Sequence, residues 1–500
     1  MVRSLSITVD LASDAPLYRQ IRDQIAASIA GGALPPGTRL PTTRALADQL
    51  GAHRNTVVRA FEELVAQGLV DSVVGRGSFV ASTVTPPPPT TAELPWERLV
   101  SRAAGSEPLG RTDRLARDAA GRDLINLSRL QPPDDLLPLG DLRRCMDHAL
   151  RTHGAAVLGY APRDGLLRLR AVIARELAGA GIAASPDELV ITTGSQQALD
   201  LITRGLVDPG DPILIEASTY SGAINLLSAA GARLVAIPSD AEGPDPERLR
   251  ALCPPGAKAF YLMPNGSNPT GAVVSERRRA ELLAWSHEAG VPIIEDDYGA
   301  DLILDGAPPR PLRALDRDVL YVGTYSKKLI PALRVGFLVC PPPLRQRLVA
   351  LKHTMDLGTS ALLQHALAEL LERGLLRSHL RRSLPVYRER RDALDAALRE
   401  HLPPGIEWAR PSQGLLIWLT LPDSLDPELV YARAHALGVA VTPGTLHRVG
   451  TRGRGGLRLT FCTEPPDRLR EGARRLGEAI RGSMAHTLDT REPTPAFDLV

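Results

Sequence analysis

The stretch GTYSKKLIPALRVGF, residues 323–337, contains two of the four lysines in a chain of 500 residues. Of the 59 basic residues, all are arginines except Lys258, Lys327, Lys328 and Lys352. A lysine amine can act as a nucleophile, which an arginine guanidinium does not do in proteins. A lysine retained against such a strong arginine bias is therefore a candidate for amine chemistry.

The length and composition indicate a globular protein with more than one domain. Five hundred residues exceed one ordinary core, so two or three domains are expected. No charged-then-apolar signal opens the chain and no apolar run is long enough to cross a bilayer, so we expect a soluble, cytoplasmic protein with no membrane partner. The cysteines are far apart and form no C-x-x-C pair, which predicts free thiols and no metal site. The net charge of +2 excludes a protein that coats polyanions over its whole surface but allows a local basic face.

Residues 1–82 are predicted to form an N-terminal winged helix-turn-helix, mainly α with a small β-wing. The segment LPTTRALADQLGAHRNTVVRAFEELVAQGLV has the apolar spacing of two helices that are broken at Gly51. On the first of these helices we expect Ala45, Leu46 and Leu50 to face inward. The segment LVDSVVGRGSFVA alternates around a glycine-rich tip, as a short hairpin does.

Arginines are concentrated where such a module meets DNA. They lie in the turn, the second helix and the wing, at Arg39, Arg44, Arg54, Arg59 and Arg76. At the start of the second helix, Arg54, Asn55 and Thr56 offer donors for phosphates and base edges in a major groove. The alternative is a solvated helical hairpin with ordinary surface arginines.

The order and spacing of these residues resemble the GntR family of winged-helix regulators. The run LPTTRALADQLGAHRNTVVRAFEELVAQGLVDSVVGRGSFV matches the family pattern almost completely. The resemblance implies binding to double-stranded DNA through Arg44, Arg54, Asn55, Thr56 and Gly75. Arg76, beside Gly75 in the wing, joins these DNA-binding candidates because of its charge. The sequence departs from the family at Val58, where relatives carry an arginine, and Arg59 stands beside it.

A proline-rich segment separates this module from the rest of the chain. TVTPPPPTTAELP, residues 83–95, favours an extended polyproline II spacer, and residues 83–121 are predicted to be a linker with a partly helical lead-in. Over residues 122–484, short apolar strands alternate with amphipathic helices, which indicates a mostly parallel sheet covered on both faces. The strand candidates are ELVITTG, DPILIEAS, ARLVAIP, KAFYLMP, VPIIEDD, VLYVGT and VGFLVC. GLLIWLTL and GLRLTF predict a smaller C-terminal α+β lobe, and the tail 485–500 is predicted to be disordered.

Polar residues stand at several of these strand ends, where open α/β sheets bind ligands. In TTGSQQAL, the backbone N–H groups of Gly194, Ser195 and Gln196 open a helix and can cradle a phosphate. The other polar residues of this kind are Asn268, Asp296, Asp297, Tyr298, Ser326, Lys327, Arg334 and Arg458. A Schiff-base site for pyridoxal 5′-phosphate (PLP) needs a lysine, phosphate donors, a carboxylate for the pyridinium nitrogen, donors for the ring hydroxyl and a flat partner for the ring. These segments offer a candidate for each group, and an arginine that can clamp a substrate carboxylate.

The same segments resemble the fold-type I aminotransferases. GSQQALDL, EDDY and TYSKKLIPALRVG look most like the MocR/GabR subfamily, which fuses a GntR-type winged helix to an aminotransferase-like domain. The resemblance implies the α/β PLP-dependent transferase fold type I, with PLP held as an internal aldimine by Lys327 and its pyridinium proton held by Asp296. It implies hydrogen bonds to the ring hydroxyl from Asn268 and Tyr298, and ring stacking by Tyr220. The phosphate-binding residues that it implies are Ser195, Gln196, Ser326 and Arg334.

Three further residues take their expected roles from this resemblance. Tyr160, in GYAPRDG, matches a tyrosine that reaches the phosphate of the neighbouring subunit, so a homodimer is implied, and a domain swap is one way to build it. Arg458 matches the carboxylate clamp for the substrate or effector. Leu130 stands where many relatives carry a glycine on the substrate side, which would reshape or narrow that pocket.

The favoured function is a PLP-dependent transcriptional regulator. PLP or a small amino compound would be the effector, and aldimine chemistry in the aminotransferase-like domain would change DNA binding. The alternative is a working aminotransferase with an accessory DNA-binding arm. A third hypothesis, a repressor whose second domain is only a dimerisation scaffold, is disfavoured by the complete set of lysine, aspartate and arginine.

Overall fold

A computed structural model of the protein describes residues 7–10, 15–73, 77–81, 96–101, 103–105, 107–118, 124–450 and 455–489. The chain divides into two compact units, Met1–Leu99 and Val100–Val500. The division falls inside the segment 83–121, which the sequence predicts to be a linker and lead-in. The proline run of that segment and two of the DNA-binding candidates, Gly75 and Arg76, lie outside the described residues.

The first unit is a winged helix-turn-helix, as predicted. Its elements are α1 (Leu17–Ala30), α2 (Thr43–Leu50), α3 (Arg54–Ala66), β1 (Val70–Val73), β2 (Gly77–Val80) and α4 (Trp96–Leu99). Helix α2 ends at Gly51, whose φ of 63° lies in the left-handed region that glycine adopts without strain. Strands β1 and β2 pair antiparallel, with Val73 opposite Gly77, and form the wing.

An apolar core joins helices α1, α2 and α3 of the first unit. It includes Ile21 of α1, Leu46 of α2 and Phe61 of α3. The prediction that Ala45 faces inward is wrong, because Ala45 is exposed and Ala47 is buried. Successive helical residues lie about 100° apart, so a face centred near Leu46 can include Ala47 on one side and exclude Ala45 on the other.

The second unit contains most of the chain. Its helices are α5 (Glu107–Asp118), α6 (Leu139–His153), α7 (Leu167–Gly179), α8 (Ser195–Leu206), α9 (Ser221–Ala229), α10 (Pro246–Leu252), α11 (Glu276–Ala289), α12 (Leu312–Leu315), α13 (Pro342–Asp356), α14 (Ala361–Glu372), α15 (Leu375–His401), α16 (Pro427–Ala436) and α17 (Pro466–Asp489). Its strands are β3 (Ile125–Asn126), β4 (Leu189–Thr192), β5 (Pro212–Glu216), β6 (Arg233–Ile237), β7 (Ser239–Asp240), β8 (Gly243–Pro244), β9 (Phe260–Leu262), β10 (Ile293–Asp297), β11 (Leu320–Thr324), β12 (Gly336–Val339), β13 (Leu416–Thr420), β14 (Val439–Ala440), β15 (Thr442–Pro443) and β16 (Gly456–Thr460).

A seven-stranded sheet forms the centre of the second unit, in the order β4-β12-β11-β10-β9-β5-β6. All seven strands coincide with the segments predicted from sequence. Strand β12 is antiparallel to both neighbours, and the other pairs are parallel. Side chains of one strand enter cores on opposite faces: in β11, Leu320 and Val322 join one apolar cluster and Tyr321 joins another. The sheet is therefore mostly parallel and buried on both faces, as predicted.

A smaller lobe follows in the chain. Strands β13, β16 and β15 form an antiparallel sheet, and a separate core cluster joins it to the helices α15, α16 and α17. The last helix continues to Asp489, past the boundary at residue 484 that the sequence suggested. Residues 490–500 of the predicted disordered tail lie outside the described residues. Within the described part of the chain, no helix combines the length and apolarity that crossing a membrane requires.

Candidate functional site

Strand order brings the predicted residues of the second unit to one edge of the large sheet. Strands β4, β10 and β11 are parallel in direction, so their carboxyl ends lie on the same side of the sheet. Asp296 lies near the end of β10, Lys327 follows β11, and Ser195 follows β4 through the turn at Gly194. These segments are far apart in the sequence, and the pairing of their strands in the sheet brings them close together.

These residues surround a cavity of about 180 Å³. Its lining residues are Leu130, Ser195, Gln196, Tyr220, Met263, Asn268, Asp296, Tyr298, Thr324, Ser326, Lys327, Arg334 and Arg458. Every residue that the sequence predicts for the cofactor or effector therefore lines it, except Gly194 and Tyr160. Gly194 is in the adjacent turn, whereas the side chain of Tyr160 is 82% exposed on the surface.

The amine of Lys327 points into this cavity from a half-buried position. Its Nζ donates a 2.7 Å hydrogen bond to the carbonyl oxygen of Leu130. Burial lowers the pKa of Lys327, and the charges of Arg458 and Arg334 lower it further. A lowered pKa increases the fraction of neutral amine, which is the nucleophilic form.

The neighbouring Lys328 has a different environment. Its side chain is buried, forms an ion pair with Asp301, and places its Nζ 4.9 Å from the ring centre of Tyr325. The pKa of Lys328 is raised, because the attraction of Asp301 and Glu176 outweighs the effect of burial. Lys328 is thus a structural charge, and only Lys327 of the pair presents its amine to the cavity.

Asp296 lines the cavity and is buried, with 3% of its surface exposed. Tyr261 donates a 2.8 Å hydrogen bond to its Oδ2, while its Oδ1 is buried and has no hydrogen-bond partner among the described residues. Burial raises the pKa of Asp296 to about 7, although the hydrogen bond from Tyr261 opposes the shift. The next carboxylate, Asp297, points to the other face of the sheet and accepts a 3.0 Å hydrogen bond from Tyr321.

A helix N-terminus and an arginine form a corner of the cavity whose donors can bind an anion, called the anion-binding corner below. Gly194 (φ 79°) precedes α8, and Ser195 is the first residue of that helix. Arg334 donates from Nη2 to the carbonyl oxygen of Thr193 at 3.4 Å. A Cβ atom on Gly194 would lie 2.7 Å from Nη2 of Arg334, so only glycine allows the guanidinium to approach this turn. Ser326 stands nearby and accepts a 3.1 Å hydrogen bond from Thr324.

Two tyrosines in the cavity wall are held by hydrogen bonds. Tyr298 donates from its hydroxyl to the carbonyl oxygen of Gly266 at 2.8 Å, and Tyr220 donates to Oε1 of Gln196 at 3.2 Å. Asn268 uses its Oδ1 to accept a 3.3 Å hydrogen bond from Arg458. These hydrogen bonds fix the orientation of the Tyr298, Tyr220 and Asn268 side chains in the cavity wall.

Arg458 is positioned without a carboxylate partner among the described residues. Its Nη2 donates to the carbonyl oxygen of Ser128 at 2.7 Å and to Oγ1 of Thr442 at 3.0 Å. Burial lowers the pKa of Arg458 to about 10, which leaves it protonated at neutral pH. A charged guanidinium that is bonded only to neutral acceptors favours an anionic ligand.

Comparison with known proteins identifies both units. Residues 122–476 match the family Aminotransferase class I and II, and residues 17–80 match Bacterial regulatory proteins, gntR family. The chain is 31% identical over 470 residues to the uncharacterized HTH-type transcriptional regulator YdfD of Bacillus subtilis, covering 93% of this chain and 96% of that protein. It is 31% identical over 498 residues to the probable rhizopine catabolism regulatory protein MocR of Rhizobium meliloti, covering 98% of this chain and 99% of that protein. The chain belongs to the MocR/GabR subfamily of GntR-type regulators.

The second unit of this MocR/GabR protein also resembles solved aminotransferases. The α-aminoadipate aminotransferase of Thermus thermophilus, solved with N-(5'-phosphopyridoxyl)-L-leucine, superposes with a TM-score of 0.72 at 33% identity and covers 79% of this chain and 100% of its own. The fold is therefore fold type I, as predicted, and that fold family is PLP-dependent.

On the DNA-binding unit of this MocR/GabR protein, the predicted contact residues lie at the start of α3 and on α2. Arg44, Arg54 and Asn55 are exposed, and Thr56 is half-buried. By contrast, Arg59 is used within the unit: its guanidinium lies 4.0 Å from the ring centre of Tyr18. Among the described residues, Arg44 and Arg54 form no ion pair, so their charges are available to a polyanion.

Sequence reasoning missed several residues that support the site. Tyr261, Met263 and Thr324 were not predicted, although Tyr261 holds Asp296 in place. The register pairs Tyr261 with Ile294, so its side chain is on the same face of the sheet as Asp296. A pairing of β9 with β10, had it been inferred, would have revealed this tyrosine.

Proposed function

We propose that this protein is a PLP-binding transcriptional regulator in which the second unit senses PLP or a small amino compound and the first unit binds DNA. The observation that carries the proposal is one cavity that combines an amine of lowered pKa, a carboxylate oxygen with no partner among the described residues and an anion-binding corner. These groups are supplied by Lys327, Asp296 and the turn at Gly194. In that order, these groups are suited to bind the aldehyde, the pyridinium nitrogen and the phosphate of PLP.

Each wall of the cavity has a proposed role toward the cofactor. Lys327 would attach PLP covalently, and the free oxygen of Asp296 would accept a hydrogen bond from the pyridinium N–H and so keep the ring nitrogen protonated. Tyr220 would stack on the ring, while Asn268 and Tyr298 would lie beside the ring hydroxyl. The phosphate would be bound by Gly194, Ser195, Gln196, Ser326 and Arg334. When bound, PLP supplies an electron sink for amino compounds, and Arg458 would hold the carboxylate of such a compound.

A homodimer is the proposed assembly. Tyr160, which the resemblance assigns to the phosphate of a neighbouring subunit, is exposed and lies apart from the cavity of its own chain. Exposed large apolar side chains also occur on the chain segments before and after it, at Leu139, Leu158 and Leu167. An exposed apolar surface of this kind is typical of a protein–protein contact. In a dimer the partner would supply the tyrosine and cover these leucines.

The route from effector to DNA is proposed to pass through the lead-in helix α5. Thr112 and Leu115 of α5 line a second cavity that also contains Arg458. Arg111 anchors the helix through an ion pair with Glu428 and a 2.7 Å hydrogen bond to Thr445. Helix α5 follows the linker from the DNA-binding unit in sequence. A ligand that contacts α5 can therefore favour one arrangement of the DNA-binding units over another. Such a regulator acts where the chromosome is, which agrees with a cytoplasmic protein.

The alternative, an aminotransferase with an accessory DNA-binding arm, is supported by the same lysine, aspartate and arginine. Leu130 favours the regulator, because it lines the cavity at a position where, by the family resemblance, many relatives carry glycine. A narrower pocket retains a ligand more readily than it releases a product.

A paired experiment distinguishes the two functions. The PLP-loaded protein is titrated with amino acids while cofactor absorbance is followed, and the same ligands are tested in a gel shift on its promoter region and in coupled keto-acid assays. The regulator predicts a ligand-dependent change in DNA affinity that is lost in Lys327→Ala, with little or no keto acid formed. Repeated turnover at roughly 1 per second or faster, with DNA binding unaffected by ligand, would establish the aminotransferase instead.

A further inference from the structure

A second cavity of about 620 Å³ opens beside the first and shares Arg458 with it. Helix α5 forms one wall, and the segment before β15 and the turn after β3 form others. The lining residues are Thr112, Leu115, Asn126, Ser128, Arg129, Ser221, Val441, Thr442, Pro443, Leu446, His447 and Arg458. Because Arg458 lines both cavities, a ligand held at its guanidinium lies next to this space.

The charged side chains that line this cavity are both arginines. Arg129 and Arg458 are its charged residues, and no carboxylate is among the described residues that line it. His447 adds no charge at neutral pH, because burial and the nearby Arg458 lower its pKa to about 3. The cavity therefore favours a ligand with negative charge beyond the single carboxylate that Arg458 can pair with.

Arg129 has a fixed backbone and a free side chain. Its N–H donates a 2.9 Å hydrogen bond to Oδ1 of Asn126, and its carbonyl oxygen accepts one of 2.9 Å from Thr463. Its exposed guanidinium has neither an ion pair nor a hydrogen bond with any described residue. A guanidinium in the lining of a cavity that no described carboxylate neutralises is available to pair with an anionic ligand.

We infer that the effector is an amino acid whose side chain carries a second carboxylate, and that Arg129 determines this specificity. Arg458 pairs with the α-carboxylate while the amino group faces Lys327, and the side chain extends into the second cavity to Arg129. The inference rests on the proposed function, because it assumes that amino compounds reach the cofactor. It adds the chemical class of the effector and the residue that selects it.

The test uses the full-length, PLP-loaded protein and four probes: L-glutamate, L-2-aminoadipate, L-glutamine and L-norleucine. Apparent dissociation constants come from the change in cofactor absorbance. We expect at least one acidic probe to bind about tenfold or more tightly than either neutral probe, as a hydrogen bond to a charged group predicts. Arg129→Gln should remove that advantage and leave the affinity for the neutral probes within about twofold. Arg347→Gln, an exposed arginine on α13, is the matched control and should retain the preference.

Two other outcomes have distinct meanings. If the neutral probes bind as tightly as the acidic ones, or Arg129→Gln weakens all four equally, the inference is overturned and the proposed function stands. If none of the probes changes the absorbance of a cofactor that is attached to Lys327, the acidic effector is overturned together with sensing of these amino acids. A readout on DNA is not needed for either conclusion.

Discussion

Tyr261 donates a 2.8 Å hydrogen bond to one oxygen of Asp296, and the other oxygen of Asp296 has no partner among the described residues. The tyrosine fixes the carboxylate so that its free oxygen stays at the wall of the cavity that contains Lys327. Burying an ionised carboxylate with one oxygen unsatisfied is unfavourable. The arrangement is therefore stable in the charged state only when a ligand supplies a proton donor or a cation.

The first prediction is that Asp296→Asn has opposite effects on the cofactor-free and cofactor-loaded protein. The pKa of Asp296 is raised from 3.8 to about 7 by burial. The folded state thus binds the proton more tightly than the unfolded state. This stabilisation is fully present below about pH 4 and is lost as the pH rises to about 7, by about 1.4 kcal/mol per pKa unit. Without cofactor, Asp296→Asn should unfold at a higher temperature than wild type at pH 8, and the difference should shrink toward pH 4.

With cofactor, the same substitution should weaken PLP binding by about tenfold or more, because an amide cannot neutralise a pyridinium. Thermal unfolding from pH 4 to 8 and a PLP titration measure the two effects. Asp297→Asn is the control, since Asp297 faces the other side of the sheet and should leave PLP affinity unchanged. Equal PLP affinity in Asp296→Asn and wild type would exclude the proposed role of Asp296.

The second prediction is that PLP attaches to Lys327 alone. Because the chain contains only four lysines, peptide mapping can distinguish the labelled lysine from the others. Borohydride reduction followed by peptide mapping should place the pyridoxyl group on Lys327, and Lys327→Ala should lose visible absorbance. Lys258→Ala removes a half-buried lysine that pairs with Asp211 at 3.3 Å, and it should keep the absorbance. A label on Lys328 would contradict the structural role that its ion pair with Asp301 indicates.

Much of the fold could be predicted because the local signals agreed with the global structure. All seven strands of the large sheet are short apolar runs, and polar residues such as Asp296 and Lys327 mark the strand ends where a ligand crevice forms. The first unit was recognisable from a glycine between two helices and from the hairpin that follows. In each case a pattern of a few consecutive residues is sufficient.

The remainder depends on contacts between distant segments, which local patterns do not encode. The antiparallel direction of β12 and the pairing that places Tyr261 beside Asp296 follow from sheet assembly. The inward face of α2 was misjudged at Ala45, because the neighbours that bury Ala47 come from other elements. The resemblance to a family supplied roles for residues. The position of Arg129 at a cavity, and the contacts of Lys352 that lead to the anion-binding corner, became visible only in the three-dimensional structure.

The third prediction concerns DNA binding by α2 and α3. Arg54→Ala and Arg44→Ala should each reduce affinity for the promoter region about tenfold and reduce the steepness of the salt dependence, since each removes a phosphate-binding charge. Arg59→Ala removes the same charge from the same helix, but Arg59 is held against Tyr18 and lies 3.8 Å from Glu63. Arg59→Ala should therefore reduce DNA affinity less than Arg54→Ala does. Gel shifts at several salt concentrations compare the three variants, and unchanged PLP spectra confirm intact second units. An Arg59→Ala defect larger than that of Arg54→Ala would reverse the assignment.

The fourth prediction is that Lys352 stabilises the anion-binding corner at Gly194 through a chain of hydrogen bonds. Lys352 is fully buried, and its Nζ lies 2.8 Å from both oxygens of Asp356. Asp356 accepts a 2.8 Å hydrogen bond from Gln197, whose own Oε1 accepts one of 2.8 Å from the N–H of Thr193. This chain of contacts ends one residue before Gly194. Lys352→Met should destabilise the second unit by about 3 kcal/mol, because it leaves a partly buried carboxylate unpaired, and should weaken PLP binding.

A double variant separates loss of positioning from simple loss of stability. In Lys352→Met/Asp356→Asn no unpaired charge remains, and the amide oxygen of Asn can still accept the hydrogen bond from Gln197. We therefore expect the double variant to recover much of both the thermal stability and the PLP affinity that Lys352→Met loses, which is a coupling that a double-mutant cycle measures. If Lys352→Met lowers stability but binds PLP as wild type does, Lys352 holds only the helix α13 and has no role in shaping the corner at Gly194.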